Sequence, residues 1–131
     1  MDDKPAKVVA LLNLADIERT QGQIAGSEGY MAEALQLAWD LGDGFMVFRA
    51  LEQALHLAAQ QQQWERAARL SGALEDMGRQ IIDPAEARYR AQRQEAAEAA
   101  RTALGTAAFN AAYVTGQAMT TAQTVAFALT P

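Results

Sequence analysis

The sequence contains no cysteine, a single histidine and three prolines, two of which stand near the chain ends at positions 5 and 131. Without cysteine there can be no disulfide and no thiolate metal site, and a cytoplasmic setting is compatible with the chain. One histidine leaves metal binding to carboxylates alone, so neither a metal nor another cofactor is expected. No glycine-rich phosphate loop is present: Gly22-Gln23-Ile24-Ala25-Gly26 lacks the lysine and the hydroxyl that nucleotide phosphates and magnesium require. No run reaches the roughly 18 apolar residues of a membrane span. Met1-Asp2-Asp3-Lys4-Pro5 lacks the basic and apolar regions of a signal peptide. The net charge of −5 argues against a nucleic-acid surface.

What remains is a helix-forming chain of 131 residues, a length that suits one domain. Half of it is hydrophobic, and roughly a quarter is alanine, the best helix former. Apolar residues recur at helical spacing: Val8, Leu11, Leu12 and Ala15, with Val9 and Leu14 beside them; then Tyr30, Met31, Ala34, Leu35, Leu37, Ala38 and Leu41; then Phe45, Phe48, Leu51, Leu55 and Ala58; then Trp64, Ala67, Ala68, Leu70, Leu74 and Met77. Gly22, Gly42 and Gly105 fall where helices should stop. The pattern predicts an all-α fold of about seven helices in a single domain over 1–131. Its parts are a hairpin over 5–41, a second over 45–80, a long helix over 84–105 and two short closing helices over 107–129. Asp83-Pro84-Ala85-Glu86 predicts the start of the long helix, with Asp83 as N-cap and Glu86 completing the first turn. Thr120 and Gln123 predict a capping box for the last helix.

A shift of 40 residues lays the second hairpin on the first. Ile24 falls on Trp64, Ser27 on Ala67, Ala34 on Leu74, and Gln21-Gly22-Gln23 on Gln61-Gln62-Gln63. A short helical hairpin cannot bury its apolar face alone, whereas stacked hairpins share one core. Asn13-Leu14-Ala15, Gln21-Gly22, Ser27 and Ala34-Leu35 resemble the repeat positions of the tetratricopeptide family. That resemblance implies antiparallel hairpins in an α–α superhelix. The run Trp64-Glu65-Arg66-Ala67-Ala68-Arg69-Leu70-Ser71-Gly72-Ala73, followed by Arg88-Tyr89, Leu104-Gly105, Phe109, Ala112-Tyr113 and Gly116, resembles the C-terminal helical region of bacterial multidomain signal-transduction ATPases. These include LuxR-type and maltose-regulator-like transcription activators. The resemblance implies a cytoplasmic sensory or scaffold module of a larger regulator whose other domains bind ATP and DNA.

No nucleophile with an orienting base is apparent, so no catalytic residue is expected and the chain is read as a non-enzyme. On the repeat alignment Asp16, Arg19, Arg49, Glu52 and His56 fall on the first helix of each hairpin, where the family lines its groove. They are the candidate binding surface for a protein or peptide segment; the plainer alternative is ordinary solvated helix faces. Paired replacement of Arg49 and Glu52 is then expected to weaken binding without unfolding the domain. The arginines between Arg66 and Arg101 are interleaved with six acids and are read as a solvated, ion-paired surface. Nothing after Arg101 is charged. In that tail Phe109, Tyr113 and Phe127 either pack onto the preceding hairpins or form a contact surface, through which residues 102–131 could make a homo-oligomer. A second class of function is effector sensing, with Phe45, Phe48 and Trp64 lining a small-molecule pocket between the hairpins; the alternative places all three in the core.

Overall fold

The computed structural model describes residues 3–131. Seven helices follow one another: α1 (Lys4–Thr20), α2 (Ile24–Leu41), α3 (Gly44–Gln60), α4 (Trp64–Arg79), α5 (Glu86–Leu104), α6 (Thr106–Gln117) and α7 (Thr121–Leu129). No strand occurs among the described residues. The fold is all-α, and its first four helices form two antiparallel hairpins packed side by side through α2 and α3.

The hairpins close for the same local reason. Asp3 accepts a hydrogen bond from the Ala6 amide and starts α1, with Pro5 in the first turn where its missing N–H costs nothing. Val8, Leu11 and Ala15 then line one face of α1 and are buried. In α2 the buried set is Ser27, Met31, Ala34, Leu35 and Ala38. Ser27 lets the two helices approach closely, and its buried hydroxyl is satisfied by donating to the Ala15 carbonyl at 2.6 Å.

The two chain reversals are one turn used twice. Gly22 has φ +80° and Gln62 has φ +60°. The Gln23 amide donates to Glu18 O at 2.8 Å, and the Gln63 amide donates to Ala58 O at 2.9 Å. Ile24 and Trp64, next in line, both open the second helix of a hairpin and both pack partly buried on the core. Glycine accepts the left-handed backbone freely, whereas Gln62 adopts it at a cost of roughly 1 kcal/mol.

α3 is the most enclosed element because two faces of it are covered. Phe48, Leu51 and Leu55 lie on the stripe facing α4, and Val47, Ala50, Ala54 and Leu57 lie on the stripe facing the first hairpin; all are buried. α5 is the opposite case. Beyond Glu86, only Ala96 and Ala100 of it are buried, so most of this Arg-, Glu- and Gln-rich helix is solvated. It starts two residues later than the sequence predicts. The Asp83 carboxylate accepts from the Ala85 amide at 2.8 Å, residues 84 and 85 form a turn, and Glu86 is the first helical residue. Glu86 makes no capping bond because its carboxylate is drawn inward to arginine.

In the uncharged tail α6 packs mainly on α4, and α7 packs across α2, α3 and α4. Phe109, Ala112 and Gly116 are the buried residues of α6, and Thr124, Val125 and Ala128 those of α7. Gly116 lies inside α6, and the break comes at 118–120, where the Thr120–Gln123 capping box opens α7. Arg66 donates to the Phe127 and Ala128 carbonyls at 3.2 and 2.9 Å and caps the end of α7. The Phe127 ring lies against the guanidinium groups of Arg66 and Arg69, at 4.7 and 4.9 Å. No helix among the described residues is long and apolar enough to cross a membrane.

Candidate functional site

The order of the helices makes a groove. α3 touches α1 on one side and α5 on the other, so it forms a floor between two walls. The groove encloses about 850 Å³, and all five predicted groove residues, Asp16, Arg19, Arg49, Glu52 and His56, line it. Its lining is mixed along its length. Toward the start of α3, Phe45, Met46 and Tyr89 stand beside Arg49, Asp83 and Arg88; Val9 and Phe45 are 45% and 38% exposed. Toward the end of α3, Asp16, Arg19, Gln53 and Gln60 stand beside Ala59 and Trp64. Arg19 Nε donates to Gln53 Oε1 at 3.2 Å, Arg19 Nη2 to Asp16 at 2.7 Å, and Gln60 to the Arg19 carbonyl at 3.1 Å. The bonds of Gln53 and Gln60 tie α1 to α3, while Asp16 holds the Arg19 guanidinium from within α1.

Arg49 and Glu52 do not behave as open groove residues. Glu52 is 4% exposed. Its two oxygens are shared between two arginines: Oε1 accepts from Arg49 at 2.5 Å and Oε2 from Arg93 at 2.6 Å. Arg93 also donates to Glu86 at 2.5 Å, and Arg49 Nη2 closes the ring 3.5 Å from Glu86 Oε2 and 3.6 Å from Asp83. Burial alone would pull the Arg93 pKa down, but the bonds to Glu86 and Glu52 outweigh it and hold the guanidinium charge more firmly than in water. Aromatic rings wall the cluster. The Arg49 guanidinium lies 4.1 Å from the Tyr89 ring centre and 4.9 Å from that of Phe45, and the Arg93 guanidinium lies 5.0 Å from Phe48. Gly78 makes room for it, since a Cβ there would sit 2.7 Å from Arg93 Nη2.

This cluster corrects one expectation and undercuts the test of another. Replacing Arg49 and Glu52 cannot be a clean test of binding, because it removes half of the ion-paired seam joining α3 to α5. Arg93, read from sequence as a solvated surface charge, has a side chain only 11% exposed and belongs to that seam. Sequence spacing reveals the Arg49–Glu52 pair, three residues apart on one helix. It carries no signal for Glu52–Arg93, which depends on how α5 packs.

His56 sits on the floor of the groove. Burial, helped by the cations of Arg19 and Arg93 and opposed by Asp16, lowers its pKa to about 4. It is therefore neutral near pH 7, and Glu52, one turn away, spends both oxygens on arginine rather than orienting the ring. The unfolded chain would bind this proton near pH 6.5. Above that value His56 is neutral in both states and costs nothing. As pH falls from about 6.5 to 4, the unfolded state gains a proton that the folded state refuses, and stability is lost by up to about 3 kcal/mol. Urea unfolding at several pH values should show this slope in the wild type, with the part due to the imidazole absent from His56→Gln.

The remaining candidates divide. Phe109 is 2% exposed, so it cannot be a contact surface; it packs against Tyr113 and under Arg101. Tyr113 and Phe127 are partly buried on the same core. Burial and the Glu75 carboxylate raise the Tyr113 phenol to about 12. Phe45, Phe48 and Trp64 do not enclose one pocket. Phe48 is core, while Phe45 and Trp64 line the groove from opposite ends of α3. Comparison of the chain with protein-family models, with curated proteins and with solved structures finds no match.

Proposed function

We propose that the chain is a non-catalytic interaction module that holds a protein or peptide segment in the groove over α3. The observation that carries this reading is the lining itself: partly exposed apolar side chains interleaved with hydrogen-bonding and charged groups along the groove, on a floor locked by the Arg–Glu cluster. Pre-organised walls lower the ordering cost of binding. From Phe45 to Gln60 the floor is about 23 Å long, enough for roughly four turns of helix or seven residues of extended peptide. The neutral, buried His56 and the ion-paired carboxylates around it are poor proton shuttles, which favours binding over chemistry. The order of residues shared with the C-terminal helical region of bacterial signal-transduction ATPases supports placing the module in a cytoplasmic transcriptional or signalling regulator. There it would take a segment of a partner or of another domain of the same regulator.

The test is selection of 16-residue peptides from a display library on the immobilised chain. Enriched peptides should bind at micromolar Kd and lose at least about tenfold in affinity with Val9→Glu or Arg88→Glu, roughly the 1.4 kcal/mol expected of one good contact. Both side chains are exposed on the groove walls, so the melting temperature should hold. Failure to enrich any peptide, or peptides indifferent to both changes, would remove the reading. Stabilisation by a small apolar metabolite with no peptide binding would favour effector sensing instead.

A further inference from the structure

The outer face of α1, turned away from the groove, is built as a helix-packing face and has no partner among the described residues. The 40-residue echo shows this directly. Ala10, Leu14 and Ile17 correspond to Ala50, Ala54 and Leu57 of α3, which are 0%, 3% and 2% exposed because the first hairpin covers them. On α1 the same positions are open, with Leu14 39% and Ile17 49% exposed. Together with Lys7 they are spaced three, four and three residues apart, the seam spacing of paired helices.

The composition of the stripe says what covers it. Its first half is small, with Ala6 and Ala10, and its second half is large, with Leu14 and Ile17. Its flank is basic at one end, at Lys7, and acidic at the other, at Glu18. Such a stripe is its own complement when reversed. We propose that the chain forms a two-fold dimer in which α1 packs antiparallel against α1 of a second copy. Ala10 then faces Leu14 of the other copy, Ala6 faces the region of Ile17, and Lys7 meets Glu18 at both ends. One set of contacts made twice is the usual form of a closed dimer. Lys7 is free to turn, since its present partner Glu33 is 3.5 Å away and both side chains are about half exposed. Groove residues Val9 and Asp16 lie on the opposite flank of α1, so the dimer leaves both grooves open.

Sedimentation equilibrium on the whole chain tests this. At about 100 μM, where low-micromolar self-association is nearly complete, the mass should be twice that of one chain. Leu14→Lys should raise the dimer Kd at least ~100-fold while leaving the circular dichroism unchanged, because a buried, unpaired charge would sit at the seam. Lys7→Glu or Glu18→Lys alone should weaken the dimer several-fold, and the two together should restore it. A monomer at that concentration overturns the proposal and leaves the stripe to a helical hairpin of another protein or of a longer chain. A dimer indifferent to Leu14→Lys, or a double charge reversal that restores nothing, also overturns it.

Discussion

Arg93→Met should cost about 3–5 kcal/mol of folding stability, the range found when one member of a buried ion pair is removed. Methionine keeps much of the aliphatic length beside Phe48 and Gly78 but takes away both short hydrogen bonds. Glu52 and Glu86 would then stand across from each other, with Arg49 alone to compensate two carboxylates that are each about 5% exposed. Against a total of roughly 5–15 kcal/mol for a domain, that loss should shift the urea midpoint at pH 7 severely. Arg93→Lys should fall between, because a single ammonium cannot reach both carboxylates in the planar, forked way that a guanidinium does. The informative control replaces all four partners with apolar side chains, Arg49→Met, Glu52→Leu, Glu86→Leu and Arg93→Met together. It should recover most of the loss, since desolvating the cluster costs nearly as much as its Coulomb attraction returns. The groove, however, should lose its shape, so stability and peptide binding should part company in that variant.

What was legible in the sequence is what depends on near neighbours. The Gln21–Gln23 and Gln61–Gln63 turns, the Thr120–Gln123 capping box and most of the apolar stripes of α1 to α4 follow from groups within a few residues, and the structure has them; Leu41 and Phe45, at the ends of their stripes, are instead 39% and 38% exposed. The 40-residue alignment also placed Asp16, Arg19, Arg49, Glu52 and His56 on corresponding faces of α1 and α3, and all five line one groove. The misreadings share one cause. Glu86 was expected to serve its own helix terminus, as its spacing from Asp83 suggests, but its carboxylate gains more from Arg93 in a dry site. Arg93 itself sits in a run of mixed charge that looks solvated from end to end. Burial of such a residue is decided by α3 and α4, some 15 to 40 positions away, where Gly78 and Glu52 supply the space and the charge. Local periodicity cannot encode that.

The same distance hides a backbone-to-backbone crossing. α4 and α6 cross where Gly72 meets Gly116, and there the two backbones touch. A Cβ on Gly72 would lie 2.0 Å from the Tyr113 carbonyl oxygen, and one on Gly116 would lie 1.9 Å from that of Arg69. No rotamer change relieves an overlap with backbone, so either Gly72→Ala or Gly116→Ala must push the helices apart. The cost should reach or exceed the upper end of the roughly 1–3 kcal/mol typical of overpacking. At ~4 °C per kcal/mol for a chain of this size, the melting temperature should fall by ~10 °C or more. Hydrogen exchange should rise across 106–117 first, because α6 is held mainly through this crossing. Gly29→Ala supplies the opposite sign. Nothing lies within 4 Å of a Cβ there, and alanine within a helix should add up to about 1 kcal/mol. The double variant Gly72→Ala/Gly116→Ala should lose little more than either single one. Once one methyl has separated the backbones, the second finds space already opened, and the two costs cannot add.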